Sequence, residues 1–302
     1  MQNGLIVPEN FDLTLYLEQI LNRLDIAESS RLDYRSRINS FVKFIEKNSF
    51  NQDCFINFKQ DLAKRNDIGV SSKNKQLTVA RILLKELHRI GMIRVDITGN
   101  VKSFKQSKKH KVSGVSETEI SSLLVYLNQL PPTPQNLRIK AILSLLILQG
   151  LRQVELTRLD LSDLDLVAKT ALILGKGMDD KELIDLHPTT VKTLQNYLLS
   201  NKIADGALFV SNSNHAKNIR LTTRTIRRLV KDVFIQVGID KNTHGLRHYF
   251  TTQLIKTYKS DLLEVARYTR HRSLEMLQVY NDSIKRKEDL PRYYKIFENI
   301  RL

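Results

Sequence analysis

LDLVAKTALILGKGMDDKELIDLH, residues 164–187, interrupts an otherwise helical sequence. Apolar and polar residues alternate along it, β-branched residues are frequent, and Gly-Lys-Gly lies near its middle at 175–177. Alternation on both sides of a glycine-containing turn is typical of an antiparallel hairpin. The stretch therefore predicts a small antiparallel β-sheet of two or three strands.

The segments on either side of this hairpin have helical periodicity. Apolar residues recur every three or four positions in 13–24 and in 34–45, and a further helix is predicted at 73–90, ending at Gly91. Helical patterns resume after residue 188. The sequence thus predicts a mainly α-helical protein with a small antiparallel β-sheet.

A polar stretch divides the chain. FKQSKKHKVSGVS, residues 104–116, has no apolar periodicity and carries four lysines and a glycine among serines, as exposed connections do. Ser116 and Glu119 then form a capping-box pattern that predicts the start of a helix, with Thr118 as the alternative cap. The predicted organisation is a helical N-terminal domain over 1–104, a linker over 105–115 and a mixed α/β domain with a C-terminal helix over 116–302.

The charge balance points to a polyanionic partner. The 302 residues include 48 Lys and Arg against 32 Asp and Glu, a net charge of +16, which favours nucleic acid or an anionic membrane surface. The longest apolar run, 141–148, is too short to span a membrane, and the N-terminus lacks the pattern of a signal peptide. Cys54 is the single cysteine, which excludes an internal disulfide and a cysteine-based zinc site. We expect a cytoplasmic protein.

Two predicted helices carry basic faces. In 222–238 four cations share one face while apolar residues take the other, and their mutual repulsion would be offset by a polyanion. In 73–90 three cations are spaced four residues apart, and a phosphate-tracking stripe and an ordinary solvated face both remain open. The residues predicted to contact nucleic acid are Arg81, Lys85, Arg89, Arg224, Arg227, Arg228 and Lys231.

Four short clusters hold the remaining basic and histidine residues of interest. They are GLRQVEL at 150–156, ILGKG at 173–177, HGLRHYF at 244–250 and HRSLEMLQVY at 271–280. Taken singly, each fits a surface ion pair, a solvated turn lysine or a structural histidine. Together, their order and spacing resemble the tyrosine recombinase family, which includes the Xer recombinases and phage-type integrases.

This resemblance implies a fold, an activity and a set of catalytic residues. It implies a helical core-binding domain that binds DNA, followed by a catalytic domain of the tyrosine recombinase type. The implied activity is site-specific strand cleavage and rejoining through a 3′-phosphotyrosine intermediate, as in Xer-like or mobile-element integrases. The matching catalytic positions are Arg152, Lys176, His244, Arg247, His271 and Tyr280.

These residue types suit cleavage of a phosphodiester without a metal or another cofactor. Arg152 and Arg247 can each bind two phosphate oxygens. Tyr280 can attack phosphorus, provided that surrounding positive charge favours its phenolate, with His244 as a candidate base. The covalent intermediate retains the energy of the broken bond, so religation needs no ATP.

The remaining roles concern the leaving group and the transition state. Lys176 at the hairpin tip could protonate the departing 5′ oxygen, and His271 could donate a hydrogen bond to the phosphoryl group. Glu155 is expected to hold an arginine by a charge-assisted hydrogen bond. The family commonly has glycine where this chain has Arg270, and we expect the arginine to be accommodated with a negative φ or to add a phosphate contact.

Other chemistries have weaker support. The sequence has no P-loop, no HExxH motif and no Cys/His spacing for zinc. Asp160, Asp163 and Asp165 are the one acidic cluster suited to a two-metal nuclease, and we interpret them instead as turn and strand-edge residues. A DNA-binding protein without catalysis and a type IB topoisomerase are the competing hypotheses for the whole chain.

The expected partner is a double-stranded DNA recombination site, and the expected location is the nucleoid. The C-terminal segment 285–302 has a small helical apolar set that must pack against another surface. The resemblance implies packing on a neighbouring protomer, and hence a homotetramer on two duplexes or an assembly with a related recombinase. Docking on its own chain is the alternative. The sequence does not identify the target DNA.

Overall fold

The computed structural model describes residues 13–48, 50–107, 114–211, 218–296 and 298. The chain divides into two compact units, Met1–Ser107 and Lys108–Leu302. Most of the predicted linker, residues 108–113, lies outside the described residues.

The first unit is helical throughout its described elements. Its core is mostly aliphatic but includes buried phenylalanines, and the rings of Phe41 and Phe58 meet edge to face with centroids 4.9 Å apart. Phe55 and Leu62 are also fully buried, on the apolar face of the helix Cys54–Lys64. The helices are α1 (Leu13–Arg23), α2 (Glu28–Asn48), α3 (Cys54–Lys64) and α4 (Val70–Arg89).

The second unit is built around one apolar helix, Pro134–Leu148 (α6). Its helices are α5 (Glu117–Gln129), α6 (Pro134–Leu148), α7 (Gln153–Arg158), α8 (Pro188–Asn201), α9 (Thr223–Gln236), α10 (His244–Thr257), α11 (Leu262–Thr269) and α12 (Leu274–Ile296). Almost every residue of α6 between 138 and 147 is buried, and α6 packs against α8, α9 and α10. The capping box of Ser116 and Glu119 forms as predicted at the start of α5.

A three-stranded antiparallel sheet lies between α7 and α8. Its strands are β1 (Leu164–Asp165), β2 (Thr170–Leu174) and β3 (Lys181–Asp185), in the order β1-β2-β3. On β2, Ala171 and Ile173 face the core while Leu172 faces outward, as the period-2 pattern requires. The mainly α fold with a small antiparallel sheet confirms the predicted fold class.

Two of the aspartates that were interpreted as turn and strand-edge residues form ion pairs within the fold. Asp160 pairs with Arg220 and Asp163 pairs with Lys181, which fixes the start of β3 beside the turn before β1. Among the described residues, no group of three His, Cys, Asp or Glu side chains could hold a metal ion. Within the same residues, no helix has the length and apolar character needed to cross a membrane.

Helix α12 joins two segments that the sequence patterns treated separately. It runs without interruption from the region of Tyr280 through Pro291 to Ile296. Tyr293 and Ile296 of the predicted apolar set remain exposed, and Phe297 and Ile300 lie outside the described residues. The candidate nucleophile and most of the C-terminal segment therefore belong to one helix.

Candidate active site

Arg152 lies immediately before α7 and is anchored by Glu155. The carboxylate of Glu155 accepts hydrogen bonds from the Arg152 backbone N–H at 2.8 Å and from Nη1 at 2.7 Å. The Glu155 side chain is fully buried, whereas 30% of the Arg152 side chain is exposed. Glu155 therefore has the anchoring role predicted for it and leaves one edge of the Arg152 guanidinium accessible.

The second oxygen of Glu155 faces another guanidinium. Arg270 Nη2 donates to Glu155 Oε2 at 3.2 Å. Burial alone raises the pKa of Glu155, but Arg270 and the hydrogen bonds from Arg152 outweigh it, so the pKa lies below its ordinary value. Glu155 is thus an ionised carboxylate shared between two arginines.

Arg247 is buried in α10 and joins three parts of the chain. Its Nη1 donates to the Gly150 carbonyl and its Nη2 to the Thr269 carbonyl, both at 2.5 Å. Gly150 has φ +58°, and a Cβ there would lie 2.2 Å from the ring of Phe250, so only glycine fits. Burial and the charge of nearby Arg152 lower the pKa of Arg247 to about 9, which leaves it a cation at neutral pH.

Thr269, the last residue of α11, connects Arg247 to His271. Its hydroxyl donates to the Val265 carbonyl at 2.8 Å and lies 2.7 Å from His271 Nδ1. Because the hydroxyl proton is already directed at Val265, the hydroxyl oxygen must accept from His271 Nδ1–H. Burial and the charges of Arg247 and Arg152 lower the pKa of His271 to about 3. His271 is therefore neutral, with the lone pair on Nε2.

Tyr280 lies in α12 with only 7% of its surface exposed. Its ring is 6.4 Å from the His271 ring, and its hydroxyl is 3.4 Å from His248 Nε2. Burial raises the pKa of Tyr280 to about 12 although Arg247 and Arg152 oppose the change. Arg247 and Arg152 therefore favour the phenolate, as expected, but desolvation has the larger effect in the unbound chain and the net pKa is raised.

His244 begins α10 and is exposed, and its ring meets that of His248 edge to face at 4.8 Å. The His248 ring lies between His244 and Tyr280, with its centroid also 4.8 Å from that of Tyr280. His248 therefore contacts the phenol of Tyr280, although it was not among the residues predicted for the site. Its position four residues after His244 was the available signal, since that spacing places both on one helical face.

Lys176 occupies the exposed turn between β2 and β3. Two arginines hold this turn: Arg158 Nη1 donates to Gly175 O at 2.9 Å, and Arg272 Nη2 donates to Gly177 O at 3.0 Å. Arg272 directly follows His271 in the chain, so the hairpin tip is attached to the segment that carries His271.

Arg270 differs from expectation in its backbone. Its φ is +55°, in the left-handed region, and the expected negative φ is wrong. Residue 270 ends α11 as a left-handed C-cap, with its N–H bonded to the Ala266 carbonyl at 2.8 Å. This is the conformation for which glycine is normally selected, and the chain adopts it with arginine.

The residues predicted to contact nucleic acid have different surroundings. Arg81 Nη2 donates to the Val101 carbonyl and its guanidinium stacks on the Phe55 ring, while Arg89 pairs with Glu86. On α9, Lys231 pairs with Asp240. The remaining predicted contacts are residues exposed to solvent: Lys85, Arg224, Arg227 and Arg228.

Comparisons with known proteins show the family to which the chain belongs. Residues 114–287 match the phage integrase family. The tyrosine recombinase XerD of Yersinia pestis is 29% identical over 283 residues, covering 87% of this chain and 91% of that protein. The tyrosine recombinase XerC of Mannheimia succiniciproducens is 26% identical over 278 residues, covering 89% of this chain and 91% of that protein.

Two solved structures share the fold. The XerH site-specific recombinase, bound to a palindromic difH substrate after cleavage, has a TM-score of 0.71 at 17% identity, covering 96% of this chain and 90% of that chain. A lambda integrase dimer bound to a COC′ core site has a TM-score of 0.66 at 14% identity, covering 89% of this chain and 93% of that chain. The chain belongs to the phage integrase family of tyrosine recombinases.

Proposed function

We propose that this tyrosine recombinase cleaves and rejoins DNA strands at a specific site through a phosphotyrosine formed on Tyr280. The observation that carries the proposal is the contact path through Thr269. Arg247 binds the Thr269 carbonyl, His271 binds its hydroxyl, and the His271 ring faces Tyr280. This grouping of residues from three helices and a connecting segment supports the proposal, because a phosphodiester needs cations and a nucleophile at one place.

Two guanidiniums supply the charge that the transition state needs. Arg152 has an exposed edge, and Arg247 uses two of its five N–H groups on backbone carbonyls, which leaves three for a phosphate. Both are held rigidly, so little reorganisation accompanies the reaction. We assign them to the non-bridging oxygens.

The nucleophile must lose its proton on attack. Because burial raises the pKa of Tyr280, its reaction needs a nearby proton acceptor, and His248 Nε2 is 3.4 Å from the hydroxyl. The Tyr280 oxygen then bonds to phosphorus as the bond from phosphorus to the 5′ oxygen breaks. Lys176 delivers a proton to that oxygen. In the reverse step the 5′ hydroxyl attacks the phosphotyrosine and the Tyr280 phenol leaves.

His271 changes state when DNA binds, in this proposal. A phosphate anion opposes the burial and the arginine charges that lower its pKa in the unbound chain. Once protonated, His271 keeps its Nδ1 hydrogen bond to Thr269 and gains an Nε2–H that can donate to a phosphoryl oxygen.

The proposed partner is a duplex recombination site, bound in part by the basic residues of α4 and α9. XerH and the lambda integrase dimer were each solved on DNA, and lambda integrase has also been solved as a tetramer on a Holliday junction. We propose a similar homotetramer for this chain. The exposed Tyr293, Tyr294 and Ile296 near the end of α12 suit a contact with a second protomer.

The proposal is tested by covalent trapping. A random duplex pool is selected for binding to Tyr280→Phe protein, and the recovered sequence is made with a nick that lets the cleaved end diffuse away. Parent protein should form an adduct that resists denaturation in the presence of a metal chelator, and Tyr280→Phe should bind the duplex with an unchanged Kd and form none. Tyr268→Phe, which removes the hydroxyl of a half-exposed tyrosine, is the matched control and should react like the parent. An adduct with Tyr280→Phe would refute the proposal.

A further inference from the structure

Arg270 keeps a backbone conformation that its side chain makes unfavourable. A non-glycine residue at φ +55° and ψ 42° meets steric strain that glycine would avoid. The side chain does not extend into solvent, because only 7% of it is exposed. A long cation held inside the protein on a strained backbone needs a compensating interaction.

That interaction is the shared carboxylate. Glu155 Oε1 accepts a hydrogen bond from Arg152 Nη1. Glu155 Oε2 accepts from the backbone N–H of Arg152 and from Arg270 Nη2. With Arg152 alone, the buried carboxylate would neutralise the guanidinium that must attract a phosphate. With Arg270 added, the same carboxylate is shared between two cations, and the three groups together keep a net positive charge.

We propose that Arg270 is a positioning residue for strand cleavage, which holds Glu155 in place and leaves Arg152 electrostatically available to the phosphate. Arg270 acts through Glu155, because its side chain contacts that carboxylate and is more buried than the side chain of Arg152. The inference rests on the proposed function, since it assigns Arg152 to the scissile phosphate.

The glycine variant separates the side chain from the backbone. Arg270→Gly relieves the strain of the left-handed cap, so any loss of cleavage reflects the missing guanidinium. With the nicked duplex described above at saturating concentration, we expect adduct formation to slow by about 10-fold to 100-fold. Small displacements of positioning groups cause losses of this size. The Kd for that duplex should stay within about 2-fold of the parent value.

Two further variants serve as rescue and control. Arg270→Lys keeps a cation facing Glu155 and should recover part of the rate. Arg267→Ala removes an equal charge from the same helix, where 76% of the Arg267 side chain is exposed and it pairs with Glu264, and should cleave at the parent rate. If the glycine loosens the helix cap, Arg270→Asn repeats the test, because asparagine tolerates the left-handed region.

A pH profile gives a readout that a purely structural role would not move. The charged groups around Glu155 are Arg152, Arg270 and Arg247. Burial favours protonation of Glu155 and Arg270 opposes it, so Arg270→Gly should raise the pKa of Glu155. The acid limb of the cleavage profile should therefore move to higher pH, and the ¹³C carboxyl shift of Glu155, assigned with Glu155→Gln, should titrate at higher pH.

The outcomes are distinguishable. Parent cleavage rate and pH profile in Arg270→Gly would overturn the inference, and so would a weaker Kd with an unchanged rate at saturation, since Arg270 would then be a DNA contact. Absence of an adduct from the parent protein would instead refute the proposed function. In that case the Glu155 titration decides alone: an unchanged pKa in Arg270→Gly overturns the link between the two residues.

Discussion

The hydroxyl of Tyr280 lies 3.4 Å from Nε2 of His248, and the His248 ring in turn meets the ring of His244 edge to face. This order places His248 directly against the phenol. The residue that resembles the family's motif histidine, His244, is one helical turn earlier and exposed. The two histidines therefore make separable predictions.

His248→Gln should slow adduct formation by about 100-fold if His248 accepts the phenolic proton, the magnitude typical of a lost general base. Single-turnover rates on the nicked duplex measure this, with unchanged Kd as the check on binding. His244→Gln is the comparison, and we expect a smaller loss from it. A full rate in His248→Gln would assign the proton to another acceptor.

Lys176→Ala should lose most of its cleavage rate, by about 100-fold or more, because the 5′ alkoxide is a poor leaving group without a proton. A duplex with sulfur replacing the bridging 5′ oxygen tests the role specifically. Thiolates leave without protonation at neutral pH, so this substrate should restore cleavage by Lys176→Ala close to the parent rate. No restoration would mean that Lys176 acts elsewhere, for example in binding DNA.

Arg247→Ala should destabilise the protein as well as stop cleavage. It leaves the carbonyls of Gly150 and Thr269 buried without their donor, at a cost of about 3 kcal/mol in the free energy of unfolding. Arg152→Ala should stop cleavage at a cost of about 1 kcal/mol, since Glu155 keeps Arg270. Urea denaturation of both variants measures the difference, and equal losses would contradict these contacts.

His271 should make the folded protein sensitive to acid. Its pKa is lowered to about 3 in the folded chain, so below the ordinary value of about 6.5 the unfolded state binds a proton that the folded state does not. Stability should therefore fall as the pH drops from 6.5 toward 3. Between pH 7 and pH 5, the free energy of unfolding of His271→Gln should fall by about 1 kcal/mol less than that of the parent, after allowance for solvent screening. Parallel curves of stability against pH for the two proteins would show that the folded chain does not hold His271 as a buried, neutral imidazole.

Much of this molecule could be predicted from local patterns. The hairpin around Lys176 and the basic face of α9 follow from residue periodicity, which depends on near neighbours in the chain. The capping box at Ser116 has the same local origin. The catalytic positions were found by resemblance, since no single cluster carried enough information.

What could not be predicted depends on contacts between distant segments. The Thr269 link between Arg247 and His271 requires the end of α11 to lie against α10, and no motif marks Thr269. The burial that raises the pKa of Tyr280 comes from neighbouring helices as well. The sign of φ at residue 270 was predicted wrongly, because the carboxylate that draws Arg270 inward is 115 positions away.

The most direct test of the account is to identify the residue that carries the DNA. The adduct from the nicked duplex is digested with protease and nuclease, and the remaining nucleotide is located by tandem mass spectrometry. We expect a nucleotide joined through its 3′ phosphate to Tyr280, in the peptide that begins after Arg272. A nucleotide on any other residue, or a 5′ phosphate linkage, would contradict it.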